Sequence, residues 1–420
     1  MLIFEKIGMN HIGIYLSNAV NKDLIIESIL SNEFLKEFVD LSELHGELYS
    51  TITINRFIDE ELRHDKFSIF TKENSNLLSM SSGQQRRALM TYIVAQKPNF
   101  IVLDDIYSSI DVETQKFIIE NLDQLASSTF QIQLFYRKQD VLACIDTVFS
   151  VDDENKIVAK QTKEQFIKSH ETKHPIQNIT LPNLFTEPAS AINPLVQLNS
   201  VSAYYENKQV LKNICWTIQT GEFWQLKGPI GSGKSTLISM ITGDNPRGYG
   251  QDMVLFGRKK GSGETIWDIK KQIGYFTPAM IAQFIHQDSV ENMIISGLVD
   301  SVGLYTKPSD LQRDIASAWL QVLGPTFQNR TFNSLSFGQQ RILLVVRAMV
   351  KHPPLLILDE PTVGLDDENT QLFLNLINAI ASQRKVAIIY VSHRNEPELK
   401  PDKIFELKPT SEGSIGEIFL

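Results

Sequence analysis

With 420 residues, the chain is longer than a single hydrophobic core usually supports, so we expect at least two domains. Its 42% hydrophobic and 21% charged residues are typical of a folded globular protein and argue against disordered and membrane-embedded classes. The net charge of −9 disfavours non-specific binding to phosphate backbones over the whole surface, while a local basic groove for nucleic acid is not excluded.

The sequence predicts neither a membrane span nor a secretion signal. The most apolar stretch, residues 342–358, is interrupted by Arg347, Lys351 and a pair of prolines, so it falls short of the roughly 20 apolar residues that a span needs. The N-terminus, MLIFEKIGMNH, lacks the basic, apolar and small-residue regions of a signal peptide. We therefore expect a cytoplasmic protein with no direct membrane insertion.

The first half predicts a helix, a turn and a buried strand in that order. An apolar helix follows Gly83-Gln84, a Lys-Pro pair makes the turn, and the strand FIVLDD ends in Asp104 and Asp105. An apolar run that ends in carboxylates is typical of a strand buried within a parallel sheet. This half is therefore predicted to belong to the α/β class.

The same pattern occurs a second time. SMSSGQQRRALMTYIVAQKPNFIVLDDIYSSID, which begins at Ser79, reappears as SLSFGQQRILLVVRAMVKHPPLLILDEPTVGLD from Ser334. The pairs Ser81 and Ser336, Gln84 and Gln339, Asp104 and Asp359, and Asp111 and Asp366 are each 255 residues apart. A constant spacing over four landmarks indicates an internal duplication.

The two copies are separated by a segment without regular periodicity. Residues 161–194 contain four prolines and scattered charges, which is typical of a linker. We therefore predict a first domain at residues 1–160 and a second at residues 195–420. The second opens with LVQLNSVSAYYENKQVLKNICWTI, whose alternation predicts an antiparallel β-layer ahead of its parallel sheet.

A glycine-rich loop follows the strand FWQLKG and precedes the helix TLISMITG, the context that a phosphate-binding P-loop requires. Glycines let successive backbone N–H groups turn toward phosphates, Lys234 reaches the β and γ oxygens, and Ser235 is a ligand for Mg²⁺. A Gly/Ser loop without a ligand is the alternative. The predicted nucleotide-binding residues are Gly228, Pro229, Ile230, Gly231, Ser232, Gly233, Lys234, Ser235 and Thr236.

Carboxylates and a histidine follow two further apolar strands. Asp359 ends LLILD, where open α/β sheets bind ligands, and can hold Mg²⁺ through water. Glu360 comes next and can polarise the attacking water. His393 ends VAIIYVSH and is predicted to face the same γ-phosphate, with a purely structural histidine as the alternative.

An aromatic ring for the nucleotide base has two candidates. Tyr204 and Tyr205 lie side by side in the β-layer strand, so one can stack on adenine while the other packs inward. We choose Tyr205. The alternative is two ordinary strand tyrosines, because strands are rich in this residue type.

With the P-loop, LSFGQ at residues 335–339, LLILDEP and His393 in that order, the second half resembles an ATP-binding-cassette ATPase. More narrowly, GRKKGSGETIWDIKKQIGYF and SGLVDSVGLY resemble the bacterial tandem-cassette proteins of molybdate transport and photorepair. The resemblance implies ATP and Mg²⁺ as ligands and two P-loop NTPase domains, each with a mainly parallel sheet flanked by helices.

The resemblance also implies head-to-tail pairing of the two cassettes within one chain. Each nucleotide then lies between the P-loop of one cassette and the signature of the other. The P-loop of the second half is therefore expected to work with the first-half signature, Ser81, Ser82, Gly83 and Gln84.

The matching loop of the first half, residues 16–23, keeps Lys22 and little else. Leu16, Ala19 and Asn21 replace glycines, and Asp23 replaces the hydroxyl for Mg²⁺, so we expect poor ATP binding there. Asp105 and Arg137 are predicted to replace the catalytic Glu and His. Lys22 lies only 59 residues before Ser81, against 102 from Lys234 to Ser336, so the first domain is predicted to be a shortened, degenerate cassette.

One departure concerns coupling to a partner. The family's glutamine after IGYxx is replaced by Pro278, with Gln283 or Gln287 as alternatives. The resemblance favours the ATP-binding subunit of a molybdate-type importer, at the inner face of the cell membrane beside a permease. A non-transport ATPase acting on nucleic acid or protein is the rival. A nucleotide-binding scaffold without turnover is disfavoured by Glu360 and His393.

Overall fold

The computed structural model describes residues 10–64, 69, 76–107, 110–170, 179–182, 192–206, 208–284, 288–394 and 396–420. The chain divides into two compact units. The first comprises Met1–His174 with Val363–Asp367, and the second comprises Pro175–Thr362 with Glu368–Leu420.

The first unit is built on one six-stranded sheet in the order β2-β3-β4-β1-β5-β6. Its strands are β1 (His11–Tyr15), β2 (Gly46–Tyr49), β3 (Phe100–Asp104), β4 (Phe130–Phe135), β5 (Ile145–Val151) and β6 (Ile157–Thr162). All neighbours pair in parallel except β5 and β6, which pair antiparallel.

Helices cover both faces of this sheet. They are α1 (Lys22–Leu30), α2 (Thr51–His64), α3 (Ser82–Gln96), α4 (Val112–Leu125) and α5 (Lys163–His170). Successive residues of β3 point to opposite faces, so Ile101 and Leu103 belong to one core cluster, while Phe100 and Val102 belong to the other. The apolar run FIVLD is therefore buried on both sides, as its composition predicts.

The predicted linker differs from the structure at its N-terminal end. Residues 161–194 were expected to lack regular structure, yet Thr162 ends β6 and α5 follows directly. The main anchor is Phe166, which is fully buried in the core of the first unit. Most of the remaining linker, residues 171–178 and 183–191, lies outside the described residues.

The second unit contains two sheets, as predicted. An antiparallel sheet has the order β11-β10-β7-β8, and a mainly parallel sheet has the order β12-β13-β14-β9-β15-β16. The strands are β7 (Val196–Tyr205), β8 (Lys208–Ile218), β9 (Phe223–Lys227), β10 (Met253–Leu255), β11 (Arg258–Lys259), β12 (Ile273–Phe276), β13 (Leu355–Asp359), β14 (Ala387–Val391), β15 (Lys403–Lys408) and β16 (Ile415–Phe419).

The helices of the second unit complete the α/β arrangement. They are α6 (Lys234–Ile241), α7 (Ile266–Lys270), α8 (Val290–Leu298), α9 (Asp310–Leu323), α10 (Phe337–Met349) and α11 (Asp367–Ser382). One core cluster joins the antiparallel layer to the parallel sheet: Trp216 of β8 stacks on Phe405 of β15 with ring centroids 4.4 Å apart. Among the described residues, no helix has the length and apolar character needed to cross a bilayer.

The two parallel sheets have the same topology. Replacing β2-β3-β4-β1-β5-β6 by β12-β13-β14-β9-β15-β16 maps each strand of the first unit onto one of the second, with the antiparallel strand last in both. The duplication in the sequence is therefore a duplication of fold. Within the described residues of the first unit, no strands correspond to the antiparallel layer.

Candidate active site

The predicted site residues of the second unit follow three neighbouring parallel strands. In the sheet, β13 pairs with β14, and β14 pairs with β9. Asp359 ends β13 and Glu360 follows it, His393 follows β14, and the glycine-rich loop follows β9. Because parallel strands have their carboxyl ends at one edge, this topology brings all three groups together, where open α/β sheets bind ligands.

The loop after β9 needs its glycines for backbone geometry. Gly228, Gly231 and Gly233 have φ angles of 149°, 79° and 93°, in the region that favours glycine. A Cβ atom on Gly233 would lie 2.7 Å from Leu211 Cδ2. Gly233 is also the residue before Lys234, the first residue of α6. The loop therefore enters the helix in a backbone conformation that would be strained for residues other than glycine.

The polar groups of this loop fit a phosphate ligand. Lys234 Nζ donates to the carbonyl oxygens of Gly228 at 2.7 Å and Pro229 at 3.0 Å, so the lysine lies along its own loop. Ser232 is 1% exposed, and within the part of the chain that the structure describes its hydroxyl has no hydrogen-bond partner. Ser235, the predicted Mg²⁺ ligand, is exposed at the start of α6. A buried hydroxyl and a loop lysine beside a helix N-terminus are suited to bind anionic oxygen atoms.

The candidate catalytic groups are the carboxylates of Asp359 and Glu360 and the imidazole of His393. Burial and the neighbouring carboxylate of Asp359 raise the pKa of Glu360 to about 7, against a smaller lowering by Lys234. Burial also raises the pKa of Asp359. The His393 backbone N–H donates to Glu360 Oε1 at 3.2 Å, and the His393 Nε2 atom is 3.7 Å from the same oxygen. Glu360 therefore has the pKa of a base that works near neutral pH.

The predicted adenine-stacking tyrosine lies beside the P-loop helix. Tyr205 is 38% exposed, and its hydroxyl accepts hydrogen bonds from Thr236 Oγ1 at 3.5 Å and Asn245 Nδ2 at 3.1 Å. Tyr204, the alternative, is 54% exposed. Tyr205 is thus tied to Thr236, a predicted nucleotide-binding residue.

The signature residues of both units build the same helix start. Ser81 precedes α3, its backbone N–H donates to Gln84 Oε1 at 2.9 Å, and the Gln84 N–H donates to Ser81 Oγ at 3.4 Å. Ser336 and Gln339 repeat this capping box before α10. Gly83 is buried, whereas Ser81, Ser82 and Gln84 are exposed. Both helix N-termini are therefore capped alike, and an exposed N-terminus can attract an anion.

The corresponding loop of the first unit has lost this geometry. Leu16 is fully buried in the core, where its side chain fills space that a glycine leaves open. Asn21 has a φ of −81° and caps α1 with its side chain, which accepts from the Leu24 N–H. Residues 16–23 thus end in an ordinary capped helix.

Lys22, the lysine of this loop, is already paired. Lys22 Nζ lies 3.0 and 3.1 Å from the two carboxylate oxygens of Asp104, which is 1% exposed. Ser50 Oγ donates to the same carboxylate at 2.7 Å. The positive charge that would meet a nucleotide in the second unit here neutralises the carboxylate at the end of β3.

Strand registers correct one residue assignment. Asp104 pairs with Leu134 in the first unit, and Asp359 pairs with Val391 in the second. Two residues beyond each partner lie Tyr136 and His393, so Tyr136 occupies the histidine position, and Arg137 was the wrong choice. Burial, then Asp104 and Asp105, raise the pKa of Tyr136. A neutral phenol therefore stands where the second unit has an imidazole.

The segment at Pro278 is a 3-10 helix, Pro278–Gln283, at whose end Gln283 is exposed. Gln287, the other alternative for the missing glutamine, lies outside the described residues. Arg247 and Asn245, which contact Tyr205, were not found from the sequence, because a short turn after α6 carries no motif that marks a base site.

Several known proteins are similar to this chain. A family model described as "ABC transporter" matches residues 211–363. The chain is 33% identical to ABC transporter ATP-binding protein ModF of Escherichia coli over 395 residues, which cover 88% of this chain and 79% of that protein. It is 30% identical to an uncharacterized ABC transporter ATP-binding protein of Schizosaccharomyces pombe, covering 76% and 66% of the two chains.

A solved structure resembles the chain over nearly its whole length. It is the complex of an archaeal ribosomal stalk protein with the archaeal ribosome recycling factor aABCE1, matched with a TM-score of 0.61 over 97% of this chain and 85% of that one. The sequence identity is 13%, so this likeness concerns the fold alone.

Proposed function

We propose that this chain, which belongs to the ATP-binding-cassette ATPases, hydrolyses ATP at one competent site built on the P-loop of its second cassette. The observation that carries the proposal is the contrast between the two loops. The loop at residues 228–233 contains three glycines with positive φ angles. In the first unit, the residue before the loop lysine is Asn21, which has a negative φ angle and caps an ordinary helix. Lys234 lies along its own loop, while Lys22 is bound to Asp104.

The P-loop residues supply the binding of the triphosphate. The backbone N–H groups from Ile230 to Thr236, at the N-terminus of α6, attract its oxygens, and Lys234 exchanges two carbonyl contacts for phosphate contacts. Tyr205 offers a ring for adenine. Ser235 and Asp359 would hold Mg²⁺, Asp359 through water, and the bound ion would neutralise charge on the phosphates.

Glu360 and His393 supply the chemistry in this proposal. Glu360 directly follows Asp359, the last residue of its strand, so its carboxylate lies next to the proposed metal ligand. In this position it accepts a proton from the attacking water. Its left-handed backbone, with a φ of 47°, re-aims the chain after β13. The His393 N–H holds one carboxylate oxygen at 3.2 Å, which leaves the other oxygen for water.

The first cassette completes the site in this proposal. Ser81, Ser82, Gly83 and Gln84 would close over the γ-phosphate of ATP bound to the second cassette, as the family's head-to-tail pairing implies. Support comes from the intact capping box at Ser81, which persists although the P-loop of the same unit is lost. A degenerate cassette that keeps its signature is suited to act in trans.

Replacing each signature serine in turn by arginine tests whether the first-half signature works with the P-loop of the second half. Ser81→Arg is expected to lower kcat by about 10²-fold, because a long cation replaces a small hydroxyl at the helix N-terminus that would meet the γ-phosphate. Ser336→Arg, the matched control in an identical capping box, is expected to stay within about twofold. Steady-state phosphate release measures both. Equal losses in the two variants contradict the arrangement.

The pH dependence of turnover reports on Glu360. Its pKa of about 7 means that the carboxylate is the active form and that protonation removes the base. We expect kcat/KM to rise with pH and to reach half its plateau near pH 7. A profile of phosphate release between pH 5.5 and 9 gives the midpoint, and an unchanged rate from pH 5.5 to 8 argues against Glu360 as the base.

Two biological roles compete for this ATPase. The resemblance to tandem-cassette molybdate-transport proteins supports a membrane permease as partner, which would hold the chain at the inner face of the membrane. Pro278, in place of the glutamine that senses such a partner, supports a non-transport ATPase acting on nucleic acid or protein. Co-purification with a permease favours the first role, and stimulation of phosphate release by nucleic acid or a soluble protein favours the second.

A further inference from the structure

The tyrosine proposed for adenine is covered on one face by an arginine. Arg247 lies in the 3-10 turn Pro246–Gly248, shortly after α6. Its guanidinium carbon is 3.7 Å from the centroid of the Tyr205 ring, and its Nε donates to the backbone oxygen of Tyr204. The cation is thus fixed to the strand that carries the ring and stacks directly on it.

The edge of the same ring is also held. The Tyr205 hydroxyl accepts from Asn245 Nδ2 at 3.1 Å, and Asn245 is 6% exposed. Asn245 in turn donates to Ser239 Oγ at 3.1 Å, which anchors it to α6. Arg247 thus covers one face of the ring and Asn245 holds its hydroxyl edge, while Tyr205 as a whole remains 38% exposed.

We propose that Arg247 is a positioning residue for the nucleotide base, which holds the Tyr205 ring so that its free face stacks on adenine. The inference rests on the proposed function, because it concerns the same ATP site. A ring that is already fixed loses little side-chain freedom when the base binds, so the gain appears in affinity. The arginine reaches the base only through the tyrosine, and it has no part in bond cleavage.

The test compares the binding of a ligand that contains a nucleobase with the binding of a ligand that lacks one. Equilibrium binding of ATP and of inorganic tripolyphosphate is measured for wild type, Arg247→Ala and Arg247→Lys, with Arg313→Ala, an exposed arginine of α9, as control. Arg247→Ala is expected to weaken ATP binding about threefold to tenfold and to leave tripolyphosphate binding and kcat within about twofold. Arg247→Lys retains a cation without the planar stack and is expected to fall between.

A second comparison separates positioning from general damage. In a Tyr205→Ala background, Arg247→Ala is expected to have no further effect on ATP affinity, because the arginine acts through the ring. Unchanged ATP affinity in Arg247→Ala, equal losses for ATP and tripolyphosphate, or additive effects of the two changes overturn the inference. A wild-type protein that binds ATP without releasing phosphate contradicts the proposed hydrolysis, and the binding comparison still decides the role of Arg247.

Discussion

Glu360→Gln is expected to lower kcat for ATP hydrolysis by about 10² to 10⁴-fold and to leave ATP bound to the protein. Glutamine has nearly the same shape and can still accept the His393 N–H, but its amide cannot take a proton from water. Removing the charge also relieves the repulsion from Asp359 that helps to raise the pKa of Glu360. Phosphate release gives kcat, and nucleotide retained through gel filtration shows the trapped state.

The first cassette offers a matched control. Asp105 follows β3 as Glu360 follows β13, and the two residues have nearly equal φ angles of 50° and 47°. Asp105→Asn is expected to change kcat less than twofold, because residues 16–23 of its cassette contain no glycine and lead into a helix that Asn21 caps. Full turnover in Glu360→Gln, or equal losses at both positions, is incompatible with a single competent site in the second cassette.

The sequence alone predicts much of the fold, because two similar segments of one chain are expected to have the same order of helices and strands. Once residues 79–111 and 334–366 are seen to match, a parallel strand in one half implies its counterpart in the other. The two sheets do have corresponding strand orders. The β-layer of the second half is likewise predicted, since the alternating pattern of residues 195–218 is typical of antiparallel strands with one buried face.

Contacts between residues that are distant in sequence could not be predicted in this way. The sequence does not reveal Tyr136 as the counterpart of His393, because the match depends on the strand register. In that register the two halves are offset by two residues more than at the earlier landmarks. Helix α5 is missed because its burial depends mainly on Phe166 within a polar segment. The Lys22 and Asp104 pair is hidden for a related reason: 82 residues separate them, and each alone looks like a nucleotide ligand.

That pair leads to an expected result that reverses the usual role of a P-loop lysine. Lys22→Met should lower the free energy of unfolding of the first unit by about 3 kcal/mol, because it leaves the buried Asp104 carboxylate without its cation. The value is near the lower end of the range for buried pairs, since 26% of the Lys22 side chain is exposed. Hydrogen exchange of the β3 amides and urea denaturation measure the loss. The affinity for ATP should not change.

Two further variants decide whether the pair or the lysine alone matters. Adding Asp104→Asn to Lys22→Met should restore most of the lost stability, because no unpaired charge then remains beside Ser50. Lys234→Met should do the opposite of Lys22→Met: it should weaken ATP binding and leave unfolding within about 1 kcal/mol, since Lys234 donates to two loop carbonyls and only moderates the raised pKa of Glu360. If Lys22→Met weakened ATP binding and spared stability, the first loop would be a nucleotide site. The ion pair would then be a resting contact that the ligand displaces, and the assignment of a single competent site would have to be abandoned.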